Sequence, residues 1–542
     1  MAEIAIGVIG GLGLFLYGMN LMGSALQRSA GSKLKKLVEI LTKNRFIGVM
    51  VGVIVTMVIQ SSSATTVMVV GFVNAGIMTL KQAVGVIMGA NLGTTVTAQL
   101  IAFDLAGIAP LAVGLGVILS LVSKKSKMKD FSEVIVGFGV LFIGMSMMSS
   151  ALSPLSKSEA FINLLSGLKN PFVGMLVGFL LTTILQSSSA SIGLLLALAS
   201  QGMLDIDMTL PILFGDNIGT TTTAMLSSIG ASRVAKQAAL MHFMFNLVGT
   251  LLFMIILRKP VEMLVLYLSP NDVSRQIANA HTFFNLINII IQFPFASLLV
   301  KAAEKIIKTG TEEEKAIKYI DYRLMETPSL AVSQASKEVL RMGNKALENM
   351  KTARKAFENM DYDLTEEIFE REKLINSIQT ETTKYLAGVS NLSLTNEQHR
   401  IVTTLFNSMT DIERIGDHAE NIAEQTQYAL ENNLTFSDKA MSDLDNLFER
   451  TIELYENSLL AFKKADEDIA KDVIIGEEEV DKLEKQYRAG HIERINKYEC
   501  QPSSGIVYLD VISNLERVSD HSVNISQYII EVVEKQKEES FF

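Results

Sequence analysis

Over its first 300 residues the chain runs through one apolar stretch after another, near 4–26, 46–75, 80–101, 106–122, 132–152, 172–200, 209–229, 236–257 and 276–300. A helix of about 20 apolar residues crosses the hydrocarbon of a bilayer. Backbone groups at that depth have no water to bond, so they must be satisfied inside helices or closed barrels, and these lengths select helices. Shorter pieces near 31–43 and 160–168 read as interfacial. After residue 300 the chain changes character. Residues 1–300 hold 18 Lys and Arg against 11 Asp and Glu, and residues 301–542 hold 30 against 47. The acidic balance therefore belongs to a charged, soluble tail, and no nucleic-acid partner is expected. A single cysteine, Cys500, excludes an internal disulfide and a Cys-rich metal site. No small-residue cleavage site follows the first apolar stretch, so a cleaved leader is not expected.

Shifted by 126 residues, the membrane half lies on itself without a gap over roughly 100 residues. Gly18-Met19 meets Gly144-Met145, Asn44 meets Asn170, Gly48 and Gly52 meet Gly174 and Gly178, and Thr56 meets Thr182. Gln60-Ser61-Ser62-Ser63-Ala64 returns as Gln186-Ser187-Ser188-Ser189-Ala190. Gly89-Ala90-Asn91-Leu92-Gly93-Thr94-Thr95 returns as Gly215-Asp216-Asn217-Ile218-Gly219-Thr220-Thr221. Membrane-like composition alone does not hold register this long, so the half is a duplication.

Loop charge orients the copies. Residues 27–45 carry Arg28, Lys33, Lys35, Lys36, Lys43 and Arg45 against Glu39, whereas their counterparts 153–171 carry Lys157 and Lys169 against Glu159. By the positive-inside rule the first loop is cytoplasmic and the second external. Lys124, Lys125, Lys127 and Lys129 place the next loop inside as well. One of the three segments between 46 and 122 must then fail to cross, as a re-entrant or broken helix would. The expectation is an inverted repeat with the N-terminus outside and the tail in the cytoplasm. Transporters of this symmetry hold substrate near the midplane between broken helices.

The Ser triplets supply hydroxyls, the flanking Gln an amide, and the Asn-x-Gly-Thr-Thr motif an amide, two hydroxyls and a glycine at which backbone could unwind. A broken helix frees N–H groups at one new end and carbonyls at the other. The N–H end favours an anion; the carbonyl end, with Ser and Thr oxygens, suits sodium. The bland alternative is Ser and Thr bonding back to their own helix or packing as small residues, and two in-register copies argue against it. Asp216 breaks the symmetry, since its partner is Ala90. An intramembrane carboxylate is a functional candidate, for a cation or a proton. Its bland alternative is a helix-end cap. His242 and His281, in two His-x-x-Phe-Asn pentapeptides, read as interhelical hydrogen-bonding groups, and Thr97, Gln99 and Thr223 as supporting groups. There is no Gly-x-x-x-x-Gly-Lys-[Ser/Thr] loop and no nucleophile–base pair near either Ser cluster, so an enzyme is not expected.

Paired Gln-Ser-Ser-Ser motifs, each followed by Gly-x-Asn-x-Gly-Thr, resemble the type II sodium/phosphate cotransporter family over about residues 1–300. The resemblance implies sodium-driven uptake of inorganic phosphate by alternating access. It implies a phosphate site at Gln60, Ser61, Ser62, Ser63, Thr65 and Asn91 with Gln186, Ser187, Ser188, Ser189, Ser191 and Asn217. Sodium would be held by Ser62, Ser63, Thr94, Thr95, Ser188, Ser189, Asp216, Thr220 and Thr221. Animal members of the family carry no acid at the position of Asp216, so their stoichiometry does not transfer.

The tail has helical periodicity, breaking near 360–364, 391–396, 431–437, 466–476 and 498–504, which makes six helices in two sets of three. It too is duplicated: Ile412 to Ile422 lies on Leu515 to Ile525 at an offset of 103. Each copy sets Glu and Asp one turn apart on one face, Glu413 with Asp417 and Glu516 with Asp520, a spacing that can ligate a metal in a helical bundle. An acidic, solvated face is the equal alternative. The tail resembles PhoU, a regulator tied to phosphate uptake, and that resemblance implies iron or zinc at these acids. Earlier helices carry matching pairs, Glu372/Asn376 and Glu477/Asp481.

The expected chain is thus all-α, a polytopic transporter of two inverted repeats with broken helices in the cytoplasmic membrane, plus a cytosolic six-helix PhoU-like bundle. Repeat one is 1–126, repeat two with a final span 127–300, a linker 301–330, and the regulatory domain 331–540. Its partners are phosphate, sodium, the lipid bilayer and a cytosolic regulatory protein, and an oligomer is compatible with this design. A membrane-tethered phosphate-signalling subunit and a symporter of another oxyanion are the alternatives.

Overall fold

The computed structural model describes residues 2–40, 44–103, 105–123, 126–308 and 317–540. Lys43, Lys124, Lys125 and the linker centre Gly310–Glu314 lie outside the described residues. The chain divides into two compact units, Met1–Glu312 and Glu313–Phe542, and every regular element described is helical.

Unit one opens with α1 (Ala2–Ile40), α2 (Arg45–Ile59), α3 (Ser62–Asn74), α4 (Leu80–Ile101) and α5 (Ala109–Val122). It continues with α6 (Ser126–Leu152), α7 (Glu159–Ser166), α8 (Pro171–Leu185), α9 (Ser188–Ser200), α10 (Ile206–Gly219) and α11 (Thr221–Ser227). It closes with α12 (Arg233–Leu252), α13 (Arg258–Leu268), α14 (Val273–Gln292) and α15 (Ala296–Ile306). Among the described residues five helical spans are long and apolar enough to cross a membrane: Ala2–Ala30, Leu80–Ile101, Lys127–Lys157, Arg233–Leu268 and Val273–Ile306. The stretches 46–75 and 172–200 are not single spans. Each is broken at its Gln-Ser step into helices of 15 and 13 residues, about 20 Å each at 1.5 Å per residue, too short to cross alone. The piece near 160–168 is α7, and the helices either side of residue 170 meet at 105°, where Asn170 caps α8 and Pro171 starts it.

The duplication is visible in the packing. α1 lies antiparallel on its own copy, α6. A Cβ built on Gly11 would sit 2.7 Å from the carbonyl oxygen of Gly144, and one on Gly144 2.6 Å from that of Gly11. Gly18 and Gly137 stand in the same relation, at 2.6 and 2.7 Å. Because Gly11 and Gly18 are the counterparts of Gly137 and Gly144, the two contacts exchange under the repeat, as an inverted pair requires. Small residues let these backbones approach closely. Arg28 closes one end of the pair on Asp130, at 2.9 Å, and on Glu133.

α4 packs on α2 and α10 on α8 through the duplicated glycines. A Cβ on Gly93 would meet Val53 O at 2.7 Å, and one on Gly219 would meet Phe179 O at 2.9 Å. Gly89 and Gly215 leave still less room, against Val49 O and Met175 O. The expected unwinding at Asn-x-Gly-Thr-Thr is therefore corrected. α4 runs unbroken through it, and Thr220, between α10 and α11, keeps helical angles. These glycines serve close approach of backbones.

Unit two contains α16 (Pro328–Asn359), α17 (Tyr362–Ser390), α18 (Asn396–Glu431), α19 (Asp438–Lys464), α20 (Glu467–Asn496) and α21 (Pro502–Ser540). The helix ends fall where the periodicity breaks, except that the break expected over 466–476 is only Ala465 and Asp466. Asp361 and Asp466 cap α17 and α20 in equivalent places. The two three-helix sets join along α16 with α19 and α18 with α21, and their common core buries Met342, Ile412, Leu515, Tyr385, Tyr455 and Tyr508.

Candidate functional site

Both Ser-rich breaks have one construction. Gln60 and Gln186 end α2 and α8 in the left-handed region, φ 61° and 53°, which costs a non-glycine residue roughly 1–2 kcal/mol. The next residue, Ser61 or Ser187, is extended and caps the following helix, its Oγ accepting from Ala64 N at 3.1 Å or Ala190 N at 3.2 Å. Each hairpin therefore reverses over two residues. At its tip the first N–H groups of α3 and α9, on Ser62, Ser63, Ser188 and Ser189, have no intrahelical acceptor.

The glutamines clasp the tips in place. Thr97 Oγ1 donates to Gln60 Oε1 and Thr223 Oγ1 to Gln186 Oε1, both at 2.8 Å. The amide nitrogens donate to Met57 O at 2.5 Å and Thr183 O at 2.6 Å. Thr97 and Thr223 thus hold the Gln side chains. By contrast, the hydroxyls of Ser62, Ser63, Ser188 and Ser189 make no hydrogen bond to other described residues, although Ser62, Ser188 and Ser189 are buried. No hydrogen bond among the described residues joins one triplet to the other. What brings the repeats together is helix packing: α3 lies on α11, and α9 on α4.

The flanking motifs divide. Thr94, Thr95, Thr220 and Thr221 donate to carbonyls of their own helices, Ala90, Leu92, Asn217 and Ile218. That spends the hydrogens and leaves oxygen lone pairs. Asn91 donates to Asn246 at 2.9 Å and lies 3.3 Å from His242 Nε2, so His242 bonds between helices. Asn217 donates to Leu213 O instead. Thr65 donates to Ser61 O and accepts from Thr56, both at 3.0 Å. Gln99 donates to Asn279 and Thr282 on α14. A kinship between α12 and α14 went beyond the pentapeptides: at an offset of 39, Gln237, Ala239, His242, Phe245 and Asn246 meet Gln276, Ala278, His281, Phe284 and Asn285.

The hairpins do not sit symmetrically on the α1–α6 pair. The midpoint of that pair, where a residue meets its own copy, is Leu16 with Phe142. Hairpin one touches α1 with its tip: a Cβ on Gly23 would lie 3.1 Å from Ile59 O and 3.6 Å from Gln60 Cβ. Hairpin two lies along the pair with α9, where Phe15 packs on Gly193 and Ser149 Oγ is 3.2 Å from Ser200 Oγ. Gly23 is seven residues, about 10 Å, toward the C-terminal end of α1. Ser149 is about 10 Å the other way, and the tip of α9 lies about 20 Å back from Ser200. Both tips thus reach the same level, about 10 Å to one side of the midpoint.

In unit two acidic side chains of neighbouring helices come near one another. Burial pushes Glu372 up to about 8, helped by Asp417, Glu420 and Glu413. Burial also raises Glu413 and Asp417, and Glu477 and Glu516 in the second set. Glu372 is buried with Oε1 unpaired. Among the described residues, however, no three His, Cys, Asp or Glu side chains come together to hold a metal ion. No metal site is shown at Glu413, Asp417, Glu516 and Asp520 among the described residues. The seam of α18 and α21 carries a polar network instead. His521 Nδ1 meets Asp411 Oδ1 at 2.7 Å and His418 Nδ1 meets Asn514 Oδ1 at 2.8 Å. Asn524 joins Asp411, and Asn421 joins Asn514. These pairs exchange under the 103-residue offset, with Asp411 facing Asn514 as its counterpart. Burial holds His418 below the ordinary imidazole value.

Residues 14–150 and 144–269 match the Na+/Pi-cotransporter family, and residues 339–426 and 444–529 match the PhoU domain. The first unit belongs to the Na+/Pi-cotransporter family and the second carries two PhoU domains. YjbB of Salmonella typhimurium, a protein named for inorganic phosphate export, is 23% identical over 536 residues, 98% of this chain and 98% of that one. The rat sodium-dependent phosphate transport protein 2A is 33% identical over 102 residues, 18% of this chain and 16% of its own. The crystal structure of PhoU from Pseudomonas aeruginosa covers 38% of this chain and 98% of its own at 20% identity, with a TM-score of 0.37. The match to the Na+/Pi-cotransporter family thus falls on the unit whose helices are long and apolar enough to cross a membrane, and the match to PhoU on the helical bundle behind it.

Proposed function

We propose that the protein carries inorganic phosphate with sodium across the cytoplasmic membrane by alternating access, and that its PhoU domains regulate the flux from the cytoplasm. The observation that carries this is the pair of Ser-capped hairpin tips. Each points unpaired helix N–H groups and hydroxyls at one level of the molecule. An anion gains there from hydrogen bonds and from the positive helix ends. Ser62, Ser63, Ser188 and Ser189 contact phosphate, while Gln60 and Gln186 act by holding the tips. In this reading the carbonyl ends of α2 and α8, with the Thr94, Thr95, Thr220 and Thr221 oxygens, serve as sodium ligands.

Displacement of both tips to one side of the α1–α6 midpoint supports alternating access. Swapping the two repeats would set the tips on the other side, and the same contacts would exist in mirror image. With the N-terminus outside, the present arrangement holds the site toward the cytoplasm. Loop charge at 27–45 and 153–171 supports that orientation.

Proteoliposomes holding the full chain, given radiolabelled phosphate with and without a sodium gradient, test the proposal. Flux should follow sodium and fall at least tenfold when all four Ser are changed to Ala. Flux indifferent to sodium sinks the coupling. Export rather than uptake is the second direction to be measured, favoured by the name of YjbB, with which this chain aligns end to end. Flux that runs outward whichever way the sodium gradient points would decide for it.

A further inference from the structure

The two repeats share a backbone frame around the hairpins but differ in one buried side chain. A Cβ on Gly52 would lie 3.0 Å from Ala90 N, and one on Gly178 would lie 3.0 Å from Asp216 N. In repeat one that frame is closed: Ala90 is apolar, and Thr56 donates to Thr65, which donates to Ser61 O. In repeat two Thr182 donates to Asp216 Oδ1 instead. The hydroxyl of Ser191, the counterpart of Thr65, lies beside Asp216, and neither Asp216 Oδ2 nor that hydroxyl is satisfied elsewhere among the described residues. Asp216 and Ser191 are wholly buried and Thr182 is 1% exposed. Among the described residues no Lys, Arg or His forms an ion pair with Asp216.

A carboxylate taken out of water without a counter-charge is strongly unfavourable, by several kcal/mol even after relaxation. Something must neutralise it. The oxygens gathered here are a carboxylate oxygen, a Thr hydroxyl whose hydrogen is already spent, and a Ser hydroxyl free to turn its lone pairs inward. All are hard donors and none is a cation, which is the ligand chemistry of a small alkali ion. Ser191 stands one turn beyond the Ser187 cap, so an ion at this place bears directly on the tip of hairpin two.

We infer that Asp216, Thr182 and Ser191 form a sodium site that exists in repeat two alone, its counterpart in repeat one being closed by Ala90 and the Thr56–Thr65 bond. This rests on the sodium-coupled reading above and sharpens it. One of the coupling ions is bound by a full negative charge beside hairpin two, and that charged site has no counterpart beside hairpin one. Loading the site neutralises Asp216 before the hairpin moves through the low-dielectric part of the molecule.

The test is 22Na+ binding to the purified full chain in lipid nanodiscs, run beside sodium-dependent phosphate flux in proteoliposomes. Asp216→Asn should lose one bound sodium per chain and raise the sodium needed for half-maximal flux at least tenfold. Ser191→Ala, a smaller change, should raise that sodium requirement severalfold, while Thr56→Val should leave the number of bound sodium ions unaltered. Thermal unfolding in sodium against choline separates misfolding from site loss. The wild type should gain stability from sodium, and Asp216→Asn should fold with that gain reduced. Unchanged sodium binding in Asp216→Asn overturns the inference, as does a flux that follows the pH gradient and ignores sodium. Sodium bound through Asp216 in a chain that moves no phosphate would refute the transport reading and leave the site standing.

Discussion

The off-centre hairpins make a prediction that can be read with two cysteine pairs. Ser149 and Ser200 touch now, at 3.2 Å between hydroxyls. Subtracting the repeat offset gives Gly23 and Asn74 as the mirror pair. In the present arrangement Gly23 faces the tip of hairpin one, and Asn74 lies at the far end of α3, 13 residues away, or about 20 Å. A disulfide needs Cα atoms within about 7 Å. If transport carries the hairpins from about 10 Å on one side of the Leu16–Phe142 midpoint to about 10 Å on the other, the shift of about 20 Å brings the mirror pair together. With Cys500→Ser as background, Ser149→Cys/Ser200→Cys should crosslink in resting proteoliposomes and stop phosphate flux, with recovery on reduction. Gly23→Cys/Asn74→Cys should crosslink only during turnover, and its disulfide should also arrest flux. Mass spectrometry of the linked peptides reports both. A mirror pair that never links while flux proceeds, together with a Ser149–Ser200 link that leaves flux intact, would refute the mirrored state.

Gly215→Ala forces a Cβ into Met175 O and should cost about 1–3 kcal/mol or more. Gly114→Ala, with open space around it, should gain up to about 1 kcal/mol from helix propensity; melting temperatures that move the same way for both would contradict the packing argument. In the tail, Asp411→Asn should loosen the α18–α21 seam by about 1–3 kcal/mol, read as faster hydrogen exchange there. Adding Asn514→Asp should restore protection, because it rebuilds the same pair across the repeat; a double variant no better than the single one counts against the symmetry. Glu372 has its folded-state value raised to about 8 from an ordinary 4.5, so between those pH values the folded tail holds a proton that the unfolded chain has lost. Stability should therefore fall as pH rises through that window. Glu372→Gln should flatten the decline, and a wild-type profile that rises from pH 5 to 8 would show the sign to be wrong.

Much of this architecture is legible in one dimension. The 126-residue register places the hairpin tips, because Gln-Ser-Ser-Ser is polar where its surroundings are apolar. The loop charges require one segment not to cross, and the broken segment 46–75 answers that requirement. Tail periodicity finds six helices because each buries one stripe. The glycines of Asn-x-Gly-Thr-Thr were misread, since a glycine that lets backbone bend and one that lets backbones touch look alike in sequence. The bonds of Gln60 and Gln186 to Thr97 and Thr223 span 37 residues, and no local pattern announces them.

By itself the sequence determined what is periodic or repeated: two membrane repeats of unequal loop charge, polar tips at matched places, two helical triplets behind them, and Asp216, an acid whose partner in the other copy is Ala90. Only the tertiary structure decided how these pieces stand against each other. It set both tips to one side of the α1–α6 midpoint, left Asp216 buried without a counter-charge, and crossed His418 and His521 onto the opposite repeat. Patterning acts along a helix, through which faces must be buried. The placement of whole helices depends on contacts between residues 100 and more apart, where duplicated surfaces can pack in more than one register.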